Sequence, residues 1–178
     1  MRQDCRGEDC MGGFFSKIFG AGKQDDYLII KSPLAGVVVP LSEVKDEAFS
    51  QGFLGKGVAI VPSGTTLHSP VAGTVDSITD AKHAVNLSAD FGAEILIHVG
   101  MDTVSLKGAP FTPKVDEGGA VAAGDVLMTF DAQAILDAGL ETTTPVTIAN
   151  SDDFDEIKIL ALGTVSVGDD LIAVKKQR

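Results

Sequence analysis

Residues 32–38 read Ser-Pro-Leu-Ala-Gly-Val-Val, and residues 69–75 repeat them as Ser-Pro-Val-Ala-Gly-Thr-Val. In each copy the proline removes a backbone donor at a strand edge and the glycine permits a tight turn, which predicts strand, turn and strand. A second pair is Gly-Ala-Val-Ala-Ala-Gly-Asp-Val-Leu at 119–127 and Gly-Thr-Val-Ser-Val-Gly-Asp-Asp-Leu at 163–171. Repeated hairpins of this kind are typical of a compact β-sandwich whose strands cross between two sheets.

Short runs of β-forming residues, bounded by Gly, Pro, Ser or Asp, continue this pattern on both sides of the repeats. These runs lie at 27–30, 58–61, 84–87, 94–99, 126–130, 146–148, 157–162 and 171–174. One short helix is predicted over 132–138, where Asp131 can cap the start and Gly139 can end it in the left-handed conformation. The sequence thus predicts an all-β fold, an antiparallel β-sandwich or barrel-sandwich with internal hairpin repeats and one short helix.

Length and charge limit what the chain can do. Its 178 residues suit one domain, which we assign to residues 27–178, with residues 1–26 as a flexible leader. Lys plus Arg is 14 and Asp plus Glu is 25, giving a formal net charge of −11, which argues against nonspecific binding to nucleic acid. Both cysteines, Cys5 and Cys10, lie in the leader, so the domain has neither a disulfide framework nor a cysteine nucleophile. We see no apolar run of about 18 residues and no signal peptide, and we expect a cytoplasmic location.

The leader itself has two parts. Met11 looks like a natural start, so residues 1–10 are interpreted as an extension that is not native. Residues 12–20 place Phe14, Phe15, Ile18 and Phe19 on one face of a short amphipathic helix, which predicts weak contact with a membrane surface. A disordered leader, or a helix packed on the domain, remains an alternative.

The chemistry must come from few side chains, because the domain has three histidines and lacks H-x-H, H-E-x-x-H and G-x-S-x-G motifs. His98 lies in Glu94-Ile-Leu-Ile-His-Val-Gly-Met-Asp, where Ile95 and Ile97 share the core face of a strand and His98 the opposite face. His83 directly precedes the predicted strand at 84–87, and His68 is interpreted as a loop residue. From spacing alone, a structural role for each histidine stays open.

Five stretches carry a family resemblance. They are Ser69–Val75, Lys82-His-Ala-Val-Asn-Leu, Glu94-Ile-Leu-Ile-His-Val-Gly-Met-Asp-Thr-Val-Ser-Leu-Lys-Gly, Glu117-Gly-Gly-Ala-Val-Ala-Ala-Gly-Asp and Thr144-Pro-Val-Thr-Ile-Ala-Asn. Over roughly residues 30–175 the chain resembles the glucose-type IIA component of the bacterial phosphoenolpyruvate-dependent sugar phosphotransferase system. The resemblance implies an antiparallel β-sandwich and a phosphotransferase that relays phosphate during sugar uptake.

The resemblance also implies roles for particular residues. His98 would accept a phosphoryl group from the carrier HPr and pass it to a cysteine of the IIB domain of a sugar permease, while His83 would stabilise the phosphoryl group. An apolar docking ring with two acidic contacts would surround them, and phosphorylation would let the same surface switch between these and regulatory partners. No cofactor is required, although zinc bound by His83, His98 and a partner carboxylate is compatible with the resemblance. The implied docking residues are Asp46, Ala48, Phe49, Leu54, Leu96, Asp102 and Val104.

The chain departs from the family pattern next to His83. Two residues before that histidine the family commonly has a Thr that hydrogen-bonds the ring, and this chain has Ala81. An aromatic residue often found two positions earlier is Thr79 here. We therefore expect a backbone carbonyl or a water molecule to orient His83 instead.

Three other readings remain. A lipoyl or biotinyl carrier module with a modifiable Lys82 fits the hairpin repeats, although Asp80-Ala-Lys82 is not the carrier order and such modules are about half as long. A zinc peptidase of the duplicated-hairpin type would need an H-x-H pair, which the chain lacks. The third is a regulator that binds partners without being phosphorylated.

Overall fold

The computed structural model describes residues 27–177, so the predictions for the leader, residues 1–26, lie outside the described residues. Within this range β-strands predominate. The strands are β1 (Tyr27–Lys31), β2 (Gly36–Pro40), β3 (Lys56–Pro62), β4 (Thr66–His68), β5 (Gly73–Ile78), β6 (Ala84–Ala89), β7 (Glu94–His98), β8 (Phe111–Pro113), β9 (Ala120–Val121), β10 (Val126–Phe130), β11 (Thr144–Ile148), β12 (Phe154–Ile159), β13 (Gly163–Val165) and β14 (Asp170–Lys176).

The strands form three sheets, and every pairing among them is antiparallel. The large sheet has eight strands in the order β13-β2-β3-β11-β7-β6-β5-β9. Two three-stranded sheets have the orders β1-β14-β12 and β4-β10-β8. The predicted all-β, antiparallel sandwich is confirmed.

The two Ser-Pro-x-Ala-Gly repeats adopt the same local structure. The hydroxyl of Ser32 donates to the carbonyl of Leu34 at 2.8 Å, and that of Ser69 donates to Val71 at 2.7 Å. The copies also contact each other reciprocally, because Lys31 N–H donates to the carbonyl of Pro70 and His68 N–H donates to that of Pro33, both at 2.9 Å. The repeats are therefore related by an approximate twofold arrangement.

Each serine of the first repeat is hydrogen-bonded to a Gly-Asp turn of the second. Ser32 N–H donates to Asp169 at 2.7 Å, and Ser69 N–H donates to Asp125 at 2.8 Å. The glycine before each aspartate returns a bond to the serine carbonyl, at 2.9 Å for Gly168 and 2.8 Å in the other copy. One copy of each repeat is thus hydrogen-bonded to one copy of the other in the same way in both halves of the fold.

The core lies between the sheets and is filled by the inward faces of the strands. In β7 the burial alternates, with Ile95 and Ile97 buried and Leu96 and His98 partly exposed, as the period of two predicts. The largest fully buried side chains come from strands of all three sheets, from the β1–β2 turn and from the two helices. They include Ile30, Leu34, Ile60, Leu67, Leu87, Leu127, Met128 and Ile148.

The predicted helix is present as α2 (Ala132–Asp137), where the Asp131 carboxylate accepts from Ala134 N–H at 3.0 Å and Gly139 has a φ of +77°. The structure adds a second helix that the sequence did not predict, α1 (Glu47–Ser50), capped by Asp46. Three 3-10 turns lie at Leu41–Glu43, Thr103–Leu106 and Ser151–Asp153. Among the helices of residues 27–177, none is long and apolar enough to cross a membrane.

Candidate functional site

The register of the large sheet brings His83 and His98 together. Ala84, the first residue of β6, lies opposite His98 at the end of β7, so His83 reaches the same point on the sheet. Val99 N–H donates to the His83 carbonyl at 2.7 Å and fixes this alignment. The two ring centroids are 4.6 Å apart, with the rings inclined at 75° to each other. The two histidines singled out from the sequence therefore share one site.

A backbone carbonyl fixes the proton on His98. The Nδ1 atom lies 2.8 Å from the carbonyl oxygen of Gly100. Because a carbonyl only accepts, Nδ1 must carry the proton, which leaves the lone pair on Nε2. Gly100 is held tightly, with a φ of +76° and no room for a side chain: an added Cβ would lie 2.7 Å from the Glu141 oxygen and 2.5 Å from Thr103 Cγ2.

A hydroxyl, rather than a carbonyl or a water molecule, lies against the ring of His83. Thr79 Oγ1 is 3.2 Å from His83 Nδ1, a contact within hydrogen-bond distance. The expectation that a backbone carbonyl or water orients this ring is therefore corrected. The hydroxyl missing at Ala81 is supplied two residues earlier, because the turn from Thr79 to Lys82, closed by a 2.7 Å backbone bond, directs Thr79 toward the ring.

Both histidines are neutral near pH 7. Burial lowers the pKa of His83 below 6.5, and the adjacent His98 lowers it further. Burial also lowers the pKa of His98, against the opposing effects of the Gly100 hydrogen bond and of the carboxylates of Asp46 and Asp102. A neutral imidazole with Nδ1 protonated offers a nucleophilic Nε2.

One residue of the predicted docking ring, Phe49, is not on the surface. Phe49 is only 2% exposed and packs edge-on against His98 at a centroid distance of 5.4 Å, so it supports the site from beneath and cannot itself present a surface. Leu54 is 37% exposed and Val104 57% exposed, while Ala48 and Leu96 are partly buried.

Phe53 is not among the predicted docking residues, but it follows α1 and is 80% exposed. Phe49 and Phe53 are four residues apart, and helical periodicity alone assigns both to one side of the chain. The end of α1 separates them, because Gln51 is the C-cap of the helix and Gly52 has a left-handed backbone with a φ of +76°. Gly52 is the signal in the sequence for this separation, because a glycine can adopt the left-handed backbone that ends a helix.

The two acidic residues implied as docking contacts differ in their roles. Asp46 accepts a hydrogen bond from Ala48 N–H at 2.7 Å and so caps α1, while exposed Asp102 has a left-handed backbone with a φ of 57°. Both border a surface cavity of about 310 Å³, whose other walls include Met101 and Leu140. An ion pair between Lys45 and Glu141 closes one side of it.

The remaining candidates are not brought into the site in the same way. His68 lies in β4, opposite Val126 in a separate sheet. Lys82 is exposed in the turn before His83, with a φ of 56°. Within residues 27–177 no three or more His, Cys, Asp or Glu side chains are grouped to hold a metal, so this chain contributes only its two imidazoles toward the zinc considered above.

Comparison with known proteins identifies the family of this chain. Residues 28–154 match the family model described as phosphoenolpyruvate-dependent sugar phosphotransferase system, EIIA 1. The chain is 39% identical over 145 residues to a glucose-specific EIIA component of Oceanobacillus iheyensis, covering 82% of this chain and 88% of that protein. It is 46% identical over 146 residues to a beta-glucoside-specific EIIBCA component of Bacillus subtilis, covering 82% of this chain.

The chain spans only 24% of that Bacillus subtilis protein. A solved structure, the glucose permease IIA from Mycoplasma capricolum, superposes with a TM-score of 0.78 at 34% identity, covering 83% of this chain and 95% of that one. The carrier-module reading with Lys82 is not favoured by these matches. The chain belongs to the EIIA 1 family of the phosphoenolpyruvate-dependent sugar phosphotransferase system.

Proposed function

We propose that this chain relays a phosphoryl group in sugar uptake, taking it from the phosphohistidine of HPr onto His98 and passing it to a cysteine of a permease IIB domain. The observation that carries the proposal is the 2.8 Å contact between His98 Nδ1 and the Gly100 carbonyl, which leaves the Nε2 lone pair available. His83 lies against the same ring, and its own Nδ1 is 3.2 Å from the Thr79 hydroxyl.

In the first step the Nε2 lone pair of His98 attacks the phosphorus carried by HPr. A nitrogen–phosphorus bond forms on His98 while the one on the donor breaks, and the electron pair returns to the donor's imidazole. The proton of His98 stays on Nδ1 throughout and is donated in a hydrogen bond to the Gly100 carbonyl oxygen. The second step is the same displacement by a cysteine thiolate, after which Nε2 recovers its lone pair. Phosphoryl transfer of this kind depends mostly on positioning and on stabilising charge.

The ring of His83 serves as the stabilising group. Its edge-to-face position, with the ring centroids 4.6 Å apart, supports a role in which it donates a hydrogen bond to the oxygens of a phosphoryl group on Nε2 and stabilises the charge that develops. Only 9% of His83 is exposed, so it is held in place by its surroundings rather than by the incoming partner.

The partners would dock on the apolar surface around the histidines. We assign to this surface Leu54, Val104 and Phe53, which are exposed, and Leu96 and Ala48, which are partly exposed. Apolar side chains at the centre of an interface, with charged ones at its rim, are typical of specific protein association. Asp46 and Asp102 would supply the acidic rim for a basic face of HPr.

We also propose that zinc, if it binds, does so only in a complex with a partner. Zinc would take the Nε2 lone pair of both rings, so His83 would have to carry its proton on Nδ1, donated to Thr79, when the metal binds; a partner carboxylate with a water molecule would complete the four ligands. No step of the relay uses the metal. The relay would take place on the cytoplasmic side of the membrane, where phosphoenolpyruvate is present.

Intact-mass analysis after incubation with phosphoenolpyruvate, Enzyme I and HPr tests the proposal. The wild-type chain should gain the mass of one phosphoryl group, which is labile in acid and stable in alkali. His98→Gln should gain nothing and remain folded. His68→Gln is the matched control, because this histidine lies in another sheet and should leave uptake unchanged. Normal uptake by His98→Gln would contradict the assignment.

A further inference from the structure

The side-chain oxygen of Thr79 lies within 3.4 Å of three polar atoms. Its side-chain oxygen lies 3.2 Å from His83 Nδ1 and 3.2 Å from the Ala84 amide nitrogen. The Ala84 carbonyl oxygen is slightly farther, at 3.4 Å. The side chain is partly buried between the last residues of β5 and the first of β6, so these protein groups are its nearest partners.

The number of protons and lone pairs on the Thr79 hydroxyl limits which hydrogen bonds it can make. A hydroxyl has one proton to donate and two lone pairs to accept with. The Ala84 N–H can only donate, so it uses one lone pair of Thr79. The Ala84 carbonyl accepts the Thr79 N–H at 3.1 Å and has a second lone pair for the hydroxyl, but at 3.4 Å that contact is longer than the 3.2 Å to Nδ1. The hydroxyl proton is therefore best placed on His83 Nδ1.

We propose that Thr79 is a positioning residue that holds His83 in the tautomer with its proton on Nε2. With Nδ1 occupied as an acceptor, a neutral ring must carry its proton on Nε2. The ring is neutral near pH 7, since burial and the neighbouring His98 lower its pKa. The tautomer of His83 does not depend on the proposed function; only its role in phosphoryl transfer rests on the proposed relay.

The consequence is a complementary pair of imidazoles. His98 has its proton on Nδ1 because a carbonyl requires it, and so offers a lone pair at Nε2. His83 has its proton on Nε2 because a hydroxyl donates to Nδ1, and so offers a donor beside that lone pair. One ring is thereby set as the nucleophile and the other as the group that donates to the phosphoryl oxygens.

The test combines nitrogen NMR of histidine-labelled protein with transfer kinetics. In the unphosphorylated wild type at pH 8, His83 should show a protonated Nε2 and an unprotonated Nδ1. Thr79→Val keeps the shape but removes the hydroxyl, and should mix the His83 tautomers. It should also slow transfer from phospho-His98 to IIB about five- to tenfold, as expected for one lost hydrogen bond. Thr79→Ser should restore both readouts, and Thr112→Val, an exposed threonine in the separate β8 strand, should change neither.

The outcomes separate this inference from the relay. A wild-type His83 protonated on Nδ1 would overturn the inference, and this spectrum needs no variant to fold and no partner protein. Unchanged tautomer and transfer rate in Thr79→Val would overturn it as well. Failure of the wild type to take up phosphate would overturn the proposed function and leave the tautomer result standing.

Discussion

Two hairpins occupy equivalent places in the duplicated fold, and their connections differ. Both start at the glycine that ends a Ser-Pro-x-Ala-Gly repeat, Gly36 for β2–β3 and Gly73 for β5–β6. The first is joined by residues 41–55, which form a 3-10 turn and α1. The second is joined by residues 79–83, a single turn closed by the bond from Lys82 N–H to the Thr79 carbonyl. The short connection ends with His83, and the long one supplies Phe49, which packs against the ring of His98.

The difference shows how the same scaffold divides chemistry from recognition. A tight connection ties an imidazole to nearby backbone and hydroxyl groups, which fixes where a proton resides. A long connection can place one aromatic ring, Phe49, under the site and another, Phe53, on the surface. The predictions below test this division.

Within the long connection, the buried and the exposed phenylalanine should separate stability from association. Phe49→Ala removes a fully buried ring and should lower the free energy of unfolding by about 3–5 kcal/mol. Phe53→Ala removes an exposed ring and should change it by less than about 0.5 kcal/mol while weakening the association with HPr. Urea unfolding and the concentration dependence of transfer measure the two effects. Equal losses of stability in both variants would contradict the division.

Within the short connection, His83→Gln should affect one half of the relay. Phosphoryl acceptance at His98 should persist, while transfer to IIB should fall about 100-fold, a magnitude typical of losing one donor to a developing negative charge. Rapid-quench measurement of each half-reaction gives the two rates. A variant that cannot accept phosphate, or that relays at the normal rate, would remove the assigned role of His83.

Charge at the rim should have a smaller effect that depends on salt. Asp46→Asn retains an N-cap residue for α1 while removing its charge, and Asp102→Asn removes the neighbouring charge. Each should slow transfer from HPr about three- to tenfold at low ionic strength, with the difference fading at high salt. Asp155→Asn, on the exposed strand β12, is the control. A wild-type rate independent of salt would argue against an electrostatic rim.

The smallest expected effect is on stability against pH. The pKa values of His83 and His98 are both lowered in the folded protein, mainly by burial, so the unfolded chain binds protons first as pH falls. The contribution of these two histidines to the free energy of unfolding should therefore be at its full value above pH 6.5. It should decrease below pH 6.5, until the pH reaches their pKa values in the folded protein. Urea unfolding from pH 8 to 5.5 should show a weaker decrease in the His83→Gln/His98→Gln double variant. Parallel profiles would show that these imidazoles do not contribute.

Much of the fold could be predicted because its signals are local or repeated. The hairpin repeats, the alternation in β7 and the Asp131 cap each depend on residues close in sequence. His83 and His98 lie at adjoining ends of neighbouring strands in the structure, but their spacing in the sequence did not pair them. A family resemblance, rather than spacing, was needed to raise both above an ordinary structural role.

The parts that could not be predicted depend on contacts between distant segments. A helix as short as Glu47–Ser50 is not stable alone and forms because Asp46 caps it and Phe49 packs with Val44, Ala59 and Met101. The contact from Thr79 to His83 depends on the left-handed backbone at Lys82, with a φ of 56°, which residue type does not reveal.

The central claim is that the Gly100 carbonyl holds the proton of His98 on Nδ1, so that the phosphoryl group is carried on Nε2. Phosphorus–nitrogen NMR of histidine-labelled protein, phosphorylated through HPr, measures which ring nitrogen is bonded to phosphorus. The account predicts one phosphohistidine, His98, with phosphorus coupled to Nε2 and a proton retained on Nδ1. Phosphorus on Nδ1 of His98, or on His83, would contradict it.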